Sequence, residues 1–374
     1  MSATGQERFP TEVYRHRIGR AAELAGEAGL DALIVSPGPD LRYLVGSRAD
    51  TFERLTALVI PAAGTPSLTV ARLELASLTT SAVGDLDIEV RDWVDGEDAH
   101  ALALAGLGSR PRVAVSDAMP ALHLVPIAER VGTTPDLATP VLRELRMVKD
   151  DAEIEVLRAA GAAIDRVHAR MGDWLRPGRT EAAVADDIAA AIVAEGHSAA
   201  AFVIVGSGPN GADPHHEHSD RVITDSDIVV IDIGGPVEPG YNSDSTRTYC
   251  FGTPATDVVD AYAALQAAQR TAVDAVRPGV TAESIDAAAR EVLVAAGLGE
   301  QFIHRTGHGI GLSVHEEPYI VAGNEIVLRS RMAFSVEPGV YFRGQWGARI
   351  EDIVVVTDDG GESLNNRPHD LVAL

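Results

Sequence analysis

The chain has 374 residues, of which 46% are hydrophobic and 23% charged, and its formal net charge is −24. This length is sufficient for two or three packed cores, and the composition is ordinary for a globular protein. The acidic balance makes nucleic acid and anionic membranes poor partners, and no run of about 18 apolar residues could span a bilayer.

The N-terminal residues and the cysteine content both bear on the cellular compartment. Residues 1–8 lack the apolar stretch of a secretory signal. Cys250 is the only cysteine, so an internal disulfide is ruled out and a reducing compartment is favoured. Because Cys250 follows a run typical of a strand, we interpret it as a small strand residue and not as a nucleophile. We therefore expect a cytoplasmic protein.

The first third of the chain alternates between helical and strand-like patterns. Residues 9–29 are amphipathic with helical periodicity and end in Gly29, a residue suited to terminating a helix. Short apolar runs predict strands at residues 32–35, 56–60, 67–70 and 113–115. With helices between these strands, we expect an N-terminal mixed α/β domain.

A second domain is predicted after the pattern changes near residues 142–149. Asp150 and Asp151 follow, and acidic side chains favour the beginning of a helix. We therefore divide the chain into an N-terminal domain of residues 1–145 and a C-terminal domain of residues 146–374. The whole chain is predicted to belong to the α/β (α+β) class.

The C-terminal domain contains an internal repeat. A segment with Pro and Gly at residues 176–180 precedes a predicted helix that ends at Gly196, and a similar segment at residues 277–281 precedes one that ends at Gly297. The two segments, like the two glycines, are 101 residues apart. Each copy has a helix before it and strands after it, so we expect two related halves around a pseudo-twofold axis.

The strands that follow each copy carry a pair of acidic residues. Asp232 ends an apolar run and Asp244 follows a turn rich in Gly and Pro, while Glu337 ends a second apolar run and Glu351 follows it. We expect each pair to lie on a hairpin, with the reversal of the second hairpin at residues 338–339. The four carboxylates would then meet near the pseudo-twofold axis.

These four carboxylates and His308 form a hard, oxygen-rich set of ligands for a pair of divalent cations. The set suits Mn²⁺ and could also hold Co²⁺ or Zn²⁺, whereas the cysteine count excludes a closed, cysteine-rich zinc site. The apolar runs beside Asp232 and Glu337 predict partly buried acids, which need cations to compensate their charge. Two neighbouring cations can hold a hydroxide between them at neutral pH and polarise a carbonyl, as peptide hydrolysis requires.

The order of these blocks resembles that of the pita-bread metallopeptidases, a family that includes prolidase, aminopeptidase P and methionine aminopeptidase. The resemblance extends from about Lys149 to the C-terminus and includes the N-terminal domain more loosely, through residues 41–46. It implies a pita-bread catalytic domain that follows a creatinase/prolidase-like N-terminal domain. The matching blocks are residues 232–234, 244–248, 307–316, 337–341 and 349–352.

The resemblance also implies how the ligands divide between two metal ions. Asp232 and Asp244 would bind one ion, His308 and Glu337 the other, and Asp244 and Glu351 would bridge the two. Twelve positions separate Asp232 from Asp244, where the family leads us to expect eleven. We place the extra residue in the turn between them, because a hairpin can lengthen at its tip without moving its strand positions.

Further roles follow from the same resemblance. Glu337 would move protons during the attack on the substrate carbonyl and the collapse of the tetrahedral intermediate. His215 would assist that intermediate, and His304 and His315 would flank the substrate carbonyl and the leaving group. Arg349 would orient a ligand carboxylate. Imidazoles suit these roles because they exchange protons near neutrality. His215 begins a His-His-Glu-His run, which we do not interpret as a separate zinc site because a fourth ligand at useful spacing is missing.

The expected substrate is a peptide that contains proline. Proline has no N–H and a fixed φ, so sites that bind an extended backbone handle it poorly. Family members with an N-terminal domain like this one mostly cleave X-Pro bonds, and the compact chain resembles prolidase. We therefore expect an Xaa-Pro dipeptidase for small peptides with proline at the second position. The alternative is aminopeptidase P, which acts on longer X-Pro peptides.

A third interpretation of the sequence is that the protein has no metal-dependent activity. Pita-bread domains also occur as metal-free enzymes that resemble creatinase and as non-catalytic peptide binders. Those proteins lose metal ligands, whereas all five positions are present here, so we favour a metallopeptidase. The resemblance further implies a homodimer.

Overall fold

The computed structural model describes residues 8–50 and 53–374. Contacts between Cα atoms divide the chain into two units, one that ends at Arg146 and one that runs Met147–Leu374. Within the described ranges, the helices are too short or too polar to cross a membrane. Both units mix α-helices and β-strands, so the predicted fold class is confirmed.

The N-terminal unit contains one six-stranded sheet in the order β4-β3-β2-β1-β5-β6. The strands are β1 (Ala32–Val35), β2 (Ala57–Pro61), β3 (Ser67–Ala71), β4 (Glu89–Trp93), β5 (Val113–Val115) and β6 (Asp136–Leu137). The helices are α1 (Thr11–Glu27), α2 (Pro39–Val45), α3 (Ala99–Ala103), α4 (Ala121–Val131) and α5 (Thr139–Met147), with 3-10 helices at Arg72–Leu78 and Val83–Asp85. The four predicted apolar strands are β1, β2, β3 and β5, which form the centre of the sheet.

The sheet of the N-terminal unit is mixed, and its buried face forms a core. Strand β1 pairs antiparallel with β2 and parallel with β5. Ile34, Val59 and Val115 belong to one buried cluster on these three strands. Helix α1 ends near Gly29, whose φ of 68° is a left-handed conformation that glycine adopts without strain.

The second unit contains four α-helices and three sheets among its described elements. The helices are α6 (Asp151–Ala169), α7 (Glu181–Ala194), α8 (Thr256–Ala275) and α9 (Ala282–Ala295), with 3-10 helices at Met171–Asp173, Gly208–Ala212 and Gly299–Gln301. The strands are β7 (Phe202–Ser207), β8 (Ile228–Val237), β9 (Tyr241–Cys250), β10 (Gly307–Gly309), β11 (Glu316–Ile320), β12 (Ala333–Val336), β13 (Gly339–Phe342), β14 (Trp346–Arg349), β15 (Asp352–Val356), β16 (Gly361–Ser363) and β17 (Val372–Ala373). The sheet orders are β17-β9-β8-β7, β11-β10-β12-β15-β16 and β13-β14.

Each large sheet of this unit packs against one pair of helices. Ile164 of α6, Ile188 of α7 and Ile231 of β8 share a buried cluster. Leu265 of α8 and Phe334 of β12 belong to a second cluster, which also includes residues of α9. Burial of such apolar side chains is the main stabilising contribution in both layers.

The two halves repeat in detail. Helices α7 and α9 each have 14 residues and begin 101 positions apart. Gly178 and Gly279, which precede them, have φ values of 89° and 90°. The amide of Gly178 donates to the carbonyl of Ile223, and the amide of Gly279 donates to the carbonyl of Leu328. The structure thus contains the internal repeat that the sequence predicts.

The first acid-bearing hairpin has a continuous register. Strands β8 and β9 pair from Ile228 opposite Cys250 to Val237 opposite Tyr241, with a three-residue tip at residues 238–240. Pro236 and Val237, which the sequence assigns to the turn, are thus paired strand residues, and the extra residue between the two aspartates stays a prediction.

The second acid-bearing segment differs from the expectation of a simple hairpin. Strand β12 pairs with β15, but between them the chain forms the two-stranded sheet β13-β14. The chain reverses at Gly344, whose φ is 73°, so the expected reversal at residues 338–339 is wrong. Gly344 supplies the left-handed conformation that a tight turn needs. Gly339 instead allows close packing, because a Cβ there would collide with the Tyr341 hydroxyl.

Candidate active site

All nine predicted site residues line one cavity of about 710 Å³ in the C-terminal unit. They are His215, Asp232, Asp244, His304, His308, His315, Glu337, Arg349 and Glu351. Apolar side chains, including Phe202 and Val314, line other parts of the same cavity, and so does Arg305. The structure therefore brings together residues that are up to 136 positions apart in the chain.

The pairing of β8 with β9 places Asp232 and Asp244 on one face. Asp244 lies opposite Gly234, two positions from Asp232 along the same strand. Side chains two apart on a strand, and side chains directly opposite across a pair, point to the same side of a sheet. Gly234 is required there, since a Cβ would collide with the Ser243 carbonyl and with the ring of Phe202.

The other predicted ligands lie on or directly beside strands of the second large sheet. Glu337 directly follows β12 and Glu351 directly precedes β15, and these two strands pair with each other. His308 is the central residue of β10, between two glycines. A Cβ on Gly307 or on Gly309 would collide with a backbone carbonyl of the neighbouring strands. The Gly-rich block thus allows β10 to lie close enough to its neighbours to present His308.

His308 presents a nitrogen lone pair to two carboxyl groups. Its Nδ1 donates to the carbonyl of Gly309 at 3.1 Å, which leaves Nε2 as the unprotonated nitrogen of a neutral ring. Nε2 lies 3.2 Å from Oε1 of Glu337 and 3.7 Å from Oδ2 of Asp244. Oxygen and nitrogen lone pairs at this separation require a proton or a cation between them.

Burial controls the ionisation of this cluster. It raises the pKa of Glu337 to about 7, and together with the neighbouring carboxylates it raises the pKa of Asp244 and of Glu351 well above the ordinary values. Burial also lowers the pKa of His308 to about 3. Desolvation disfavours the charged forms of these four groups, so Asp244, Glu337 and Glu351 ionise fully only when positive charge is supplied.

Arg349 connects the two acid pairs through hydrogen bonds. Its Nη2 donates to Oδ2 of Asp232, its Nη1 donates to the Tyr341 hydroxyl at 2.7 Å, and its Nε donates to Oγ1 of Thr246 at 3.0 Å. Thr246 in turn donates to Oε2 of Glu351 at 2.7 Å. One guanidinium thus fixes the orientation of a carboxylate from each half of the unit.

The donor set fits a divalent cation. Donor atoms of Asp244, His308 and Glu351 all lie within 4.8 Å of one another. Oδ1 of Asp232 is buried and has no hydrogen-bond partner among the described residues. A buried carboxylate oxygen without a partner is costly, and a cation would relieve that cost. Carboxylates with one imidazole are suited to Mn²⁺ and related ions.

The remaining predicted histidines differ in their exposure to the cavity and in their hydrogen bonds. His304 has both ring nitrogens engaged, with Nδ1 donating to the Arg305 carbonyl at 2.7 Å and Nε2 3.0 Å from the Tyr341 hydroxyl. Burial lowers the pKa of His304 to about 4, so Nε2 accepts. His215 and His315 are exposed side chains on the cavity wall, and the His315 ring lies 4.1 Å from that of His308, edge to face.

The His-His-Glu-His run does not converge on one point. His216 Nε2 lies 2.9 Å from Oε2 of Glu181, whereas His218 Nδ1 donates to the carbonyl of Val203. Among the described residues, neither belongs to a group that could hold a metal ion. Only His215 of this run lines the cavity.

Glu181 is a residue that the sequence interpretation missed. It is fully buried at the first position of α7, and its carboxylate organises the loop that carries His215. A glutamate after Thr180 is indistinguishable in sequence from an ordinary acid in a first helical turn. The carboxylate accepts hydrogen bonds from Ser207, Asn210, His216 and Ser219.

Thr246, Tyr341 and Ser335 were also missed. Ser335 accepts a hydrogen bond from the amide of His308 and donates to Oε1 of Glu337, each at 3.0 Å. Thr246 and Tyr341 lie within the matching blocks, yet their roles depend on contacts with Arg349 that form only in the folded chain. These three hydroxyls hold the charged groups of the cavity in place.

The repeated halves, together with a buried cluster of acids and one imidazole, define a metal-dependent hydrolase. Comparison with family models gives the particular family: the chain belongs to metallopeptidase family M24, whose model matches residues 155–358. The model of the creatinase/prolidase N-terminal domain matches residues 17–148. The predicted family, the predicted pita-bread fold and the prediction of a metallopeptidase are confirmed.

Individual relatives match over nearly the whole chain. The probable dipeptidase PepE of Mycobacterium tuberculosis is 63% identical over 371 residues, which cover 99% of each protein. The Xaa-Pro dipeptidase of Lactobacillus helveticus is 34% identical, over 91% of this chain and 94% of the relative. The crystal structure of dipeptidase PepE from Mycobacterium ulcerans superposes with a TM-score of 0.96 at 66% identity, over 98% of this chain and 99% of that one.

Proposed function

We propose that this protein is an Xaa-Pro dipeptidase that hydrolyses the peptide bond before proline with two divalent cations. The observation that carries the proposal is the convergence of the five predicted ligands, three histidines and Arg349 on one cavity. The names of the relatives support the dipeptide substrate, since two of them are called dipeptidases and one an Xaa-Pro dipeptidase.

The chain offers a defined set of residues to the cations. Asp232 and Asp244 would hold one ion, His308 and Glu337 the other, and Asp244 and Glu351 would serve both. Bound there, the cations would polarise the substrate carbonyl and lower the pKa of water so that a hydroxide nucleophile is available near neutral pH. Mn²⁺ suits this set best, with Co²⁺ or Zn²⁺ as other candidates.

Glu337 is the proposed proton carrier. Its Oε1 accepts from Ser335 and faces His308, and burial raises its pKa to about 7 before cations bind. Bound cations would lower that pKa, so the carboxylate form that accepts a proton from water would be present near neutral pH. In the proposed mechanism Glu337 takes a proton from the attacking water and delivers it to the leaving proline nitrogen.

The other residues position the reacting groups. Arg349 fixes Oδ2 of Asp232, which directs the buried Oδ1 of the same side chain at a cation. His215 and His315 are exposed on the cavity wall, and their proposed part is to stabilise the tetrahedral intermediate and the leaving group. His304 presents its ring and not a free nitrogen, so its proposed part is to fix Tyr341 beside Arg349.

The proposal is tested with three substrates and protein loaded with Mn²⁺. Hydrolysis of Ala-Pro well above that of Ala-Ala and of Ala-Pro-Ala is the expected result. Preferential cleavage of Ala-Pro-Ala would replace the proposal by an aminopeptidase P activity. Equal cleavage of Ala-Ala and Ala-Pro would remove the proline requirement. Sedimentation of the same protein tests the predicted homodimer.

A further inference from the structure

An ion pair on helix α9 contacts the segment of residues 302–306, which leads into β10. Asp286 and Arg290 are four positions apart, so their side chains share one face of the helix. Nε and Nη2 of Arg290 donate to Oδ2 and Oδ1 of Asp286 at 2.9 and 3.0 Å. The Asp286 carboxylate is buried, and a buried carboxylate needs such a partner. Neither residue lines the cavity that holds the acid cluster, so any effect on the reaction passes through neighbouring residues.

The pair binds the backbone of this segment at several points. Arg290 donates from Nη1 to the carbonyl of Phe302 at 3.1 Å and from Nη2 to the carbonyl of His304 at 2.9 Å. Oδ1 of Asp286 accepts from both the amide and the hydroxyl of Thr306, at 3.0 and 2.8 Å. The Arg290 guanidinium carbon also lies 4.2 Å from the centre of the Phe302 ring, within the range of a cation–π contact. One turn of helix thus holds the segment along its whole length.

The segment connects the ion pair to groups of the candidate site. The Tyr341 hydroxyl donates to Nε2 of His304 at 3.0 Å and accepts from Arg349 at 2.7 Å. The Thr306 carbonyl accepts from the amide of Glu337 at 2.8 Å. A displacement of the segment would therefore disturb both the support of Arg349 and the backbone of a predicted metal ligand.

The first half of the unit holds its own histidine-bearing loop in a related way. Glu181 of α7 is buried, and its carboxylate accepts hydrogen bonds from the loop that carries His215. Helices α7 and α9 are equivalent in the repeat, although Glu181 is the first residue of α7 and Asp286 the fifth of α9. Each helix thus presents a buried acid to a segment that carries a histidine of the cavity. This recurrence distinguishes the Asp286 pair from a surface ion pair, which contributes little.

We propose that Asp286 and Arg290 are positioning residues that fix the 302–306 segment and thereby hold the His304 ring against Tyr341. The inference rests on the proposed peptidase function and adds a pair that supports the reacting groups without contacting the substrate. Because the pair acts through His304, its contribution should disappear when that ring is absent. A misplacement of about 1 Å in an active site can cost about 100-fold in rate.

The deciding variant is Arg290→Lys, which keeps a positive charge beside the buried Asp286. Lysine lacks the planar fork that reaches two carbonyls and a carboxylate at once, so kcat for Ala-Pro with Mn²⁺ should fall by about tenfold or more. KM should stay within about threefold, because the pair does not line the cavity. Asp286→Asn should show a similar loss, since its amide directs a donor at Arg290 or at Thr306. Glu291→Gln, at an exposed position of the same helix, is the matched control and should equal the wild type.

Two further measurements distinguish positioning from a general loss of stability. In a His304→Ala background, Arg290→Lys should lower kcat by less than about twofold more, because two changes that act through one group are not additive. Amide hydrogen exchange of metal-free protein, which requires no turnover, should become faster in the peptide that spans residues 302–306 of Arg290→Lys. The same peptide should be unchanged in Glu291→Gln.

An unchanged kcat in Arg290→Lys would overturn the inference, and so would fully additive losses in the double variant. Unchanged exchange at residues 302–306 would overturn it as well, because the segment would then not depend on the pair. If the wild type cleaves Ala-Pro with none of Mn²⁺, Co²⁺ and Zn²⁺, the proposed function itself fails. The exchange measurement then still shows, independently of turnover, whether the pair holds the segment.

Discussion

Arg349 donates a hydrogen bond to Oδ2 of Asp232, while Oδ1 of the same carboxylate is buried with no hydrogen-bond partner in the described residues. The two carboxylate oxygens of Asp232 thus lie in different environments. The guanidinium fixes the plane of the carboxylate, and the second oxygen remains available to a cation. Groups that orient metal ligands in this way contribute strongly to metal affinity.

The first prediction concerns this orientation. In Arg349→Lys, a single ammonium cannot reach Asp232, Thr246 and Tyr341 together, because lysine lacks the planar fork of arginine. Mn²⁺ affinity should fall by about 10- to 100-fold. Calorimetric titration of metal-stripped protein measures the change, with Arg270→Lys as the control. Unchanged affinity in Arg349→Lys would show that Arg349 does not orient a ligand.

The second prediction separates two neighbouring histidines. The rings of His308 and His315 are 4.1 Å apart, but only His308 directs a lone pair at Glu337 and Asp244. His308→Ala should lose at least one bound metal ion, whereas His315→Ala should keep both and lose activity. Metal content after gel filtration, measured by atomic emission, tests the difference. Loss of metal in His315→Ala alone would mean that the ligand histidine is wrongly assigned.

The third prediction concerns pH. Burial raises the pKa of Glu337 to about 7 and also raises the pKa of Asp244 and of Glu351. At pH 6 the folded, metal-free protein therefore holds protons that cations must displace. Raising the pH removes this competition, so Mn²⁺ affinity should increase from pH 6 to 8, by about tenfold per unit for each proton released. Titration calorimetry in two buffers of different ionisation enthalpy should detect the released protons. An affinity that is flat or falls over this range would contradict the protonated cluster.

The fourth prediction concerns Glu181, which holds the loop with His215. Glu181→Gln keeps the shape but replaces one acceptor oxygen by a donor that faces the donors of Ser207 or Ser219. The loop should loosen, so kcat for Ala-Pro should fall by about tenfold or more, as expected when a catalytic group is misplaced by about 1 Å. Metal affinity should stay unchanged, because the ligands lie on other elements. Reduced metal affinity would indicate general damage to the unit and would contradict a role confined to the loop.

The sequence predicted the parts of the fold that depend on local pattern. The central strands of the N-terminal sheet, such as β1 and β5, are continuous apolar runs. Strands β4 and β6 were missed because they lie at the two edges of the sheet. Their residues are largely polar and exposed, so only pairing with a neighbour makes them strands.

Some residues of the candidate site could not be predicted from the sequence for a similar reason. Asp232 and Glu337 were found because each acid ends an apolar run, which is unusual unless a cation compensates its charge. Thr246 and Tyr341 carry no such signal, since a threonine or tyrosine in a strand is ordinary. Their function arises from contacts with Arg349, about 100 positions from Thr246 and adjacent in space only after folding.

The most direct test of the account is the hydrolysis of Ala-Pro by metal-stripped protein during titration with Mn²⁺. Turnover should be absent without metal and should rise until two equivalents are bound. Glu337→Ala should remain folded, as judged by circular dichroism, and should stay inactive throughout. Full turnover without metal, or appreciable turnover by Glu337→Ala, would contradict a metal-dependent peptidase in which Glu337 moves the proton.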